Sequence, residues 1–211
     1  MSNANHTLAF RPLLAGVGIY NPIVNEVGTL GLIATSDGAD RWIVSCYHVL
    51  VRNAPSAGAV PLSAGEVIFQ GSAHDGPVAR TDPARADVAL DCAAALIERG
   101  LAERQAILDV GILNPTPVAV SAGMRVIKAG AETGVTEGVI SRVDVGQVLI
   151  APPPGHPSAY SVAGRGDSGA LWVTMDTHQA VALHLGVRTI DGMAVARPIG
   201  PVLANLRLNF P

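Results

Sequence analysis

Gly164-Arg165-Gly166-Asp167-Ser168-Gly169 runs directly into Ala170-Leu171-Trp172-Val173, so a serine sits in a glycine-flanked turn just before an apolar strand. Glycines let a backbone take conformations denied to other residues and turn its N–H groups toward one point. A tetrahedral oxyanion needs such a point, with preorganised donors about 3 Å away. Taken alone, the same letters also describe a polar surface turn. They do not form the G-x-S-x-G elbow of the α/β-hydrolases, because Ala170 stands where the last glycine would be and no helix follows.

Two further segments give the serine a context. In Val44-Ser45-Cys46-Tyr47-His48-Val49-Leu50 a histidine ends the apolar run that begins at Trp42-Ile43. A serine hydroxyl is a weak nucleophile, and an imidazole within reach takes its proton near neutral pH. In Ala86-Asp87-Val88-Ala89-Leu90 an acid opens another apolar run. A charge stays there when it is paired, although Asp87 by itself could equally cap a turn. The order His48, Asp87, Ser168, each beside its own apolar run, is the chymotrypsin order and neither that of subtilisin nor that of the α/β-hydrolases. It assigns Ser168 as nucleophile, His48 as general base and Asp87 as the acid that orients the histidine.

Outward from these segments, short apolar runs recur between Gly, Pro and Asp: 29–34, 41–45, 66–70, 86–90, 125–128, 138–143, 147–151, 170–174, 180–185 and 193–198. Many short strands without alternating long helices predict an all-β sandwich or pair of barrels. Helices are expected only at 96–106, rich in Ala, Leu and Glu, and in the tail at 201–206. The chain of 211 residues reads as one domain: an N-terminal lobe over about 1–96, a connector over about 97–122, and a C-terminal lobe with its terminal helix over about 123–211.

With 49% hydrophobic and 15% charged residues, the chain can bury a core of Ala, Val, Leu and Ile. A net charge of −3 and no basic stripe argue against nucleic acid as a partner. No stretch reaches the roughly 18 apolar residues of a membrane span, and the N-terminus has no leader pattern, so a cytoplasmic protein is expected. Cys46 and Cys92 are too few for a disulfide framework and are expected to be reduced and buried. No paired metal-ligand spacing, H-E-x-x-H or phosphate loop occurs, so no metal and no cofactor is expected.

Several of these segments resemble bacterial trypsin-like serine peptidases of the chymotrypsin clan: Gly28-Thr29-Leu30-Gly31, 45–50, 86–90, 166–169 and the tail Ala194-Val195-Ala196-Arg197-Pro198-Ile199. Within that clan they resemble the leaderless group that includes the plant Narrow Leaf 1 protein. The stretch 126–134, with Gly138-Val139-Ile140 after it, is similar to the second-barrel opening of the α-lytic protease and streptogrisin branch. The resemblance covers about residues 28–207 and implies two six-stranded β-barrels with the triad between them, acting on protein or peptide substrates. It places an oxyanion hole at the N–H groups of Gly166 and Ser168. Three positions depart from the pattern: Tyr47 for an alanine, Ala170 for a glycine, and Leu185 for the serine that normally braces the triad acid. The last departure leaves room for a catalytically weak or inactive scaffold that binds peptides.

The same resemblance implies the rest of the site. Lys128 matches an internal arginine of the α-lytic branch and is expected to pair with Asp167, the acid before the nucleophile. Val162, six residues before Ser168, replaces the acid that selects basic side chains. His184 and Gly186 lie on a segment similar to the pocket wall of glutamyl endopeptidases, and Arg165 is expected at the pocket mouth. An imidazolium at His184 would favour Glu or Gln before the cut, and a neutral wall would favour small aliphatic residues.

Overall fold

The computed structural model describes residues 6–36, 38, 40–51, 65–71, 76–116, 118–156 and 160–210. Its first half contains β1 (Leu13–Ala15), β2 (Gly18–Asn21), β3 (Glu26–Thr29), β4 (Leu32–Thr35), β5 (Arg41–Ser45) and the single turn α1 (Tyr47–Leu50). These are followed by β6 (Val67–Gln70), the long β7 (Pro77–Asp87) and β8 (Cys92–Ile97). The strands form a seven-stranded sheet in the order β3-β2-β6-β7-β8-β5-β4. The expected six-stranded first barrel is therefore a half-barrel with one strand more. β8 and β5 lie side by side toward its β4 edge, register Val44↔Ala94 and Ser45↔Ala93, and their small and branched side chains are buried.

The expected helix at 96–106 is absent. Ile97 ends β8, the chain turns through Gly100 at φ +81°, and 103–107 extends as β9 (Glu103–Ile107). β9 pairs in parallel with β1 and antiparallel with β10 (Gly111–Ile112). Helix propensity is a weak prior, and strand pairing outweighs it here. The expected connector 97–122 thus carries two strands of its own.

The second half is a closed barrel in the order β11-β12-β13-β16-β15-β14. It comprises β11 (Arg125–Gly130), β12 (Gly134–Asp144), β13 (Gln147–Ala151), β14 (Leu171–Thr174), β15 (Ala180–Val187) and β16 (Ala194–Pro198). Val126↔Thr174 and Ile127↔Val173 close it. A compact core of Val126, Ile140, Ile150, Val162, Trp172 and Ala182 fills it, while a larger core spans the first half and reaches Leu171, Val173 and Leu183. The expected tail helix is α2 (Ile199–Leu206), with Ile199, Val202, Leu203 and Leu206 buried at helical spacing. Among the described residues no helix is long and apolar enough to cross a membrane.

Candidate active site

Ser168 stands where the two halves meet. Thr29, the last residue of β3, binds the serine turn in two ways, its N–H donating to the Ser168 carbonyl (2.8 Å) and its Oγ1 to the Gly166 carbonyl (2.8 Å), while its own carbonyl accepts the hydroxyl of Ser45 at the end of β5 (2.7 Å). Gly169, at φ +93°, packs so closely beneath that a Cβ would lie 2.0 Å from Ser45 Oγ and 2.4 Å from the Thr29 carbonyl. These contacts fix the direction of the turn. The N–H groups of Gly166 and Ser168 have no acceptor among the described residues. Ser168 Oγ donates to the Leu185 carbonyl on β15 at 3.0 Å and has no bond to His48 among the described residues.

His48 lies in α1, whose next residue, Val49, approaches the same Gly28 Cβ position as the Ser168 carbonyl. The acid against it is Asp91 and not Asp87. Asp91 Oδ2 lies 2.8 Å from His48 Nδ1, and Oδ1 accepts the His48 backbone N–H at 3.1 Å. Asp87 ends β7 and caps the following turn instead: its Oδ1 accepts the Leu90 N–H (2.8 Å) and its Oδ2 accepts Asn205 Nδ2 (2.9 Å). Of the expected strand over 86–90 only Ala86 and Asp87 are extended, at the end of β7; the turn that follows delivers Asp91 at φ +52°, a left-handed conformation that Asp tolerates better than most residues. The missed signal was available, since Asp91 immediately precedes the apolar run Cys92-Ala93-Ala94-Ala95-Leu96.

Lys128 and Asp167 are brought together beneath the serine turn. Their side chains are wholly buried and 2.8 Å apart. Asp167 also accepts the N–H groups of Glu132 (3.0 Å), Thr133 (3.1 Å) and Gly164 (2.9 Å) and the Thr133 hydroxyl (2.6 Å). Burial alone would raise this carboxyl, but the Lys128 charge and the hydrogen bonds outweigh it and bring it down to about 2. Burial lowers the Lys128 ammonium, and Asp167 opposes that shift. Gly130 makes room for the pair, since a Cβ there would meet Asp167 Oδ1 at 2.3 Å.

The residues expected to line a specificity pocket stand in different surroundings. Val162 is fully buried in the second core. His184 is also fully buried, with its Nδ1 3.4 Å from Trp172 Nε1. An indole N–H can only donate, so Nδ1 accepts and the ring proton sits on Nε2, which has no partner among the described residues. Burial, with the nearby Lys128 charge, pulls His184 down to about 3. The ring is therefore neutral near pH 7, the second of the two alternatives left open for His184. Gly186 follows the bulge between His184 and Gly186 on β15 and faces open space. Arg165 instead lines a cavity of about 460 Å³ with Glu26, Val27, Glu132 and Gly166, on the flank of the serine turn toward β3.

Cys46 and Cys92 are free, buried thiols. Cys46 Sγ, His48 Nδ1 and an Asp91 oxygen lie within 4.8 Å of one another, close enough for one metal ion. However, Cys46 donates to the His184 carbonyl at 3.1 Å, and its burial raises the thiol well above its ordinary value, opposing the thiolate a metal would need. These residues fit the hydrogen-bonded site better than a metal centre.

No family model matches the chain, and a search of curated proteins finds no relative in sequence. Solved structures do match. One is a glutamic acid specific serine protease that utilizes a novel histidine triad in substrate binding, at 16% identity over 94% of this chain and all of that one, TM-score 0.69. Protease A of Thermobifida fusca follows at 18% identity over 93% and 96% of the two chains, TM-score 0.62. A Nocardiopsis protease matches at 16% over 93% and 97%, TM-score 0.63. The chain has the double-barrel fold of these chymotrypsin-like bacterial serine proteases.

Proposed function

We propose that the protein is a serine endopeptidase working through an acyl-enzyme, with Ser168 as nucleophile, His48 as general base and Asp91 as the acid that orients it. The carrying observation is the 2.8 Å contact between His48 Nδ1 and Asp91. It holds the ring proton on Nδ1 and leaves the Nε2 lone pair free to accept one. Ser168 Oγ attacks the scissile carbonyl while its proton passes to His48 Nε2. The oxyanion is received by the free N–H groups of Gly166 and Ser168. Collapse breaks the C–N bond, His48 returns the proton to the leaving amine, and water hydrolyses the ester by the same route.

The substrate class is protein or peptide, in keeping with the proteases that share the fold. The finer grouping with the leaderless peptidases rests on the segments 28–31, 45–50, 86–90, 166–169 and 194–199.

A phosphonofluoridate probe followed by mass spectrometry tests the reading. It should label Ser168 in the wild type and nothing in Ser168→Ala, and labelling should fall sharply in His48→Ala. An unlabelled wild type would instead favour a peptide-binding scaffold without turnover. One observation supports that second reading: the Ser168 hydroxyl donates to the Leu185 carbonyl.

A further inference from the structure

We propose that Arg197 is a positioning residue for His48, acting from the second barrel through the turn that carries Asp91. Arg197 lies on β16 opposite Leu183, and its guanidinium reaches back across the boundary between the halves. Its Nε donates to the Leu90 carbonyl at 3.3 Å and its Nη2 to the Ala89 carbonyl at 3.2 Å. Its Nη1 donates to the Gly146 carbonyl at 2.8 Å, in the hairpin between β12 and β13. Gly146 is at φ +70°, and a Cβ there would stand 3.4 Å from that nitrogen. One planar fork therefore ties a hairpin of the second barrel to two consecutive carbonyls of the first half.

The position of those carbonyls gives the contact its meaning. A peptide unit is planar, so the Leu90 carbonyl and the Asp91 N–H move as one body. Holding the first fixes the plane from which the Asp91 side chain leaves the backbone. The other end of the same turn is held by Asn205 of α2, which donates to Asp87. Asp91 itself has no donor among the described residues other than His48, at 2.8 Å through Nδ1 and 3.1 Å through the backbone N–H. Its aim at the imidazole is thus set by the backbone, and Arg197 grips that backbone. The effect on rate rests on the peptidase reading above, whereas the effect on the imidazole does not.

Two readouts separate these levels. Ring ¹⁵N shifts of His48 report which nitrogen carries the proton. In folded Arg197→Ala they should move from the Nδ1–H form toward a mixture of tautomers. For turnover, kcat should fall by about 10²-fold, the scale of an ångström of misplacement, with a much smaller change in KM. Low, non-denaturing guanidinium should restore much of the loss in Arg197→Ala and none in Asp91→Asn. Arg197→Lys keeps the charge but cannot hold three carbonyls in one plane, and it should show the same ring shift if the alanine variant fails to fold. Unchanged ¹⁵N shifts in either folded variant would overturn the assignment. Shifted ring signals in a protein that turns over no peptide would sustain the clamp and refute the peptidase reading.

Discussion

Asp91 and Asp87 are four residues apart and do different work, and their amides give a direct contrast. Asp91→Asn should lower kcat by roughly 10⁴, because an amide at that place favours the wrong histidine tautomer. Asp87→Asn keeps an oxygen for the Leu90 N–H and should leave kcat within a few-fold, with a stability loss of about 1 kcal/mol from the weakened cap. Steady-state kinetics and urea unfolding of the two variants decide between them; a larger kinetic loss in Asp87→Asn would restore the assignment read from the sequence. At this scale His48 and Ser168 each sit in a distinctive local pattern, whereas the Lys128–Asp167 pair followed only from the resemblance to the α-lytic branch. Asp91 was not, because two acids precede apolar residues and only the course of the turn says which one faces the histidine. The charge on His184 was illegible for another reason: it depends on complete burial, which no letter of the sequence carries.

Among the elements, the strands of the second barrel stood out as bounded apolar runs. β7 did not, because Pro77–Asp87 is polar, carries Pro83 and is bulged between Thr81 and Ala86. β9 was hidden by residues that favour helices and became a strand only through its pairing with β1. A tight joint between elements lies between the end of β5 and the serine turn. Gly169→Ala would set a methyl at 2.0 Å from Ser45 Oγ on a backbone at φ +93°. The expected result is a loss of more than about 2 kcal/mol of unfolding free energy, together with displacement of Ser168. Thermal unfolding checks it, and a variant as stable as the wild type would mean that the joint is loose.

The whole molecule should respond to acid in two stages. His184 is held near 3 when folded and titrates near 6.5 when unfolded, so the unfolded chain binds a proton first and stability falls as pH drops from about 6.5 toward 3. Asp167, held at about 2 against about 3.9 unfolded, contributes on the order of 2 kcal/mol that is fully present above pH 4 and lost as pH falls through 2. Urea midpoints measured from pH 8 to 2 should decline through both windows. His184→Gln should flatten the first and leave the second. A wild-type midpoint that is level between pH 6.5 and 4 would show that His184 is not neutral in the folded protein.

Thr29 joins β3 to a turn some 140 positions later, and it also accepts the Ala131 N–H on its hydroxyl. During synthesis on the ribosome, the histidine and its acid therefore emerge long before the segment that completes their surroundings. A nascent chain would hold an inert first lobe until the serine turn docks on Thr29, and Arg197 and Asn205 emerge later still to grip the loop bearing Asp91. On the peptidase reading, competence would then arrive late, when most of the polypeptide has already left the ribosome.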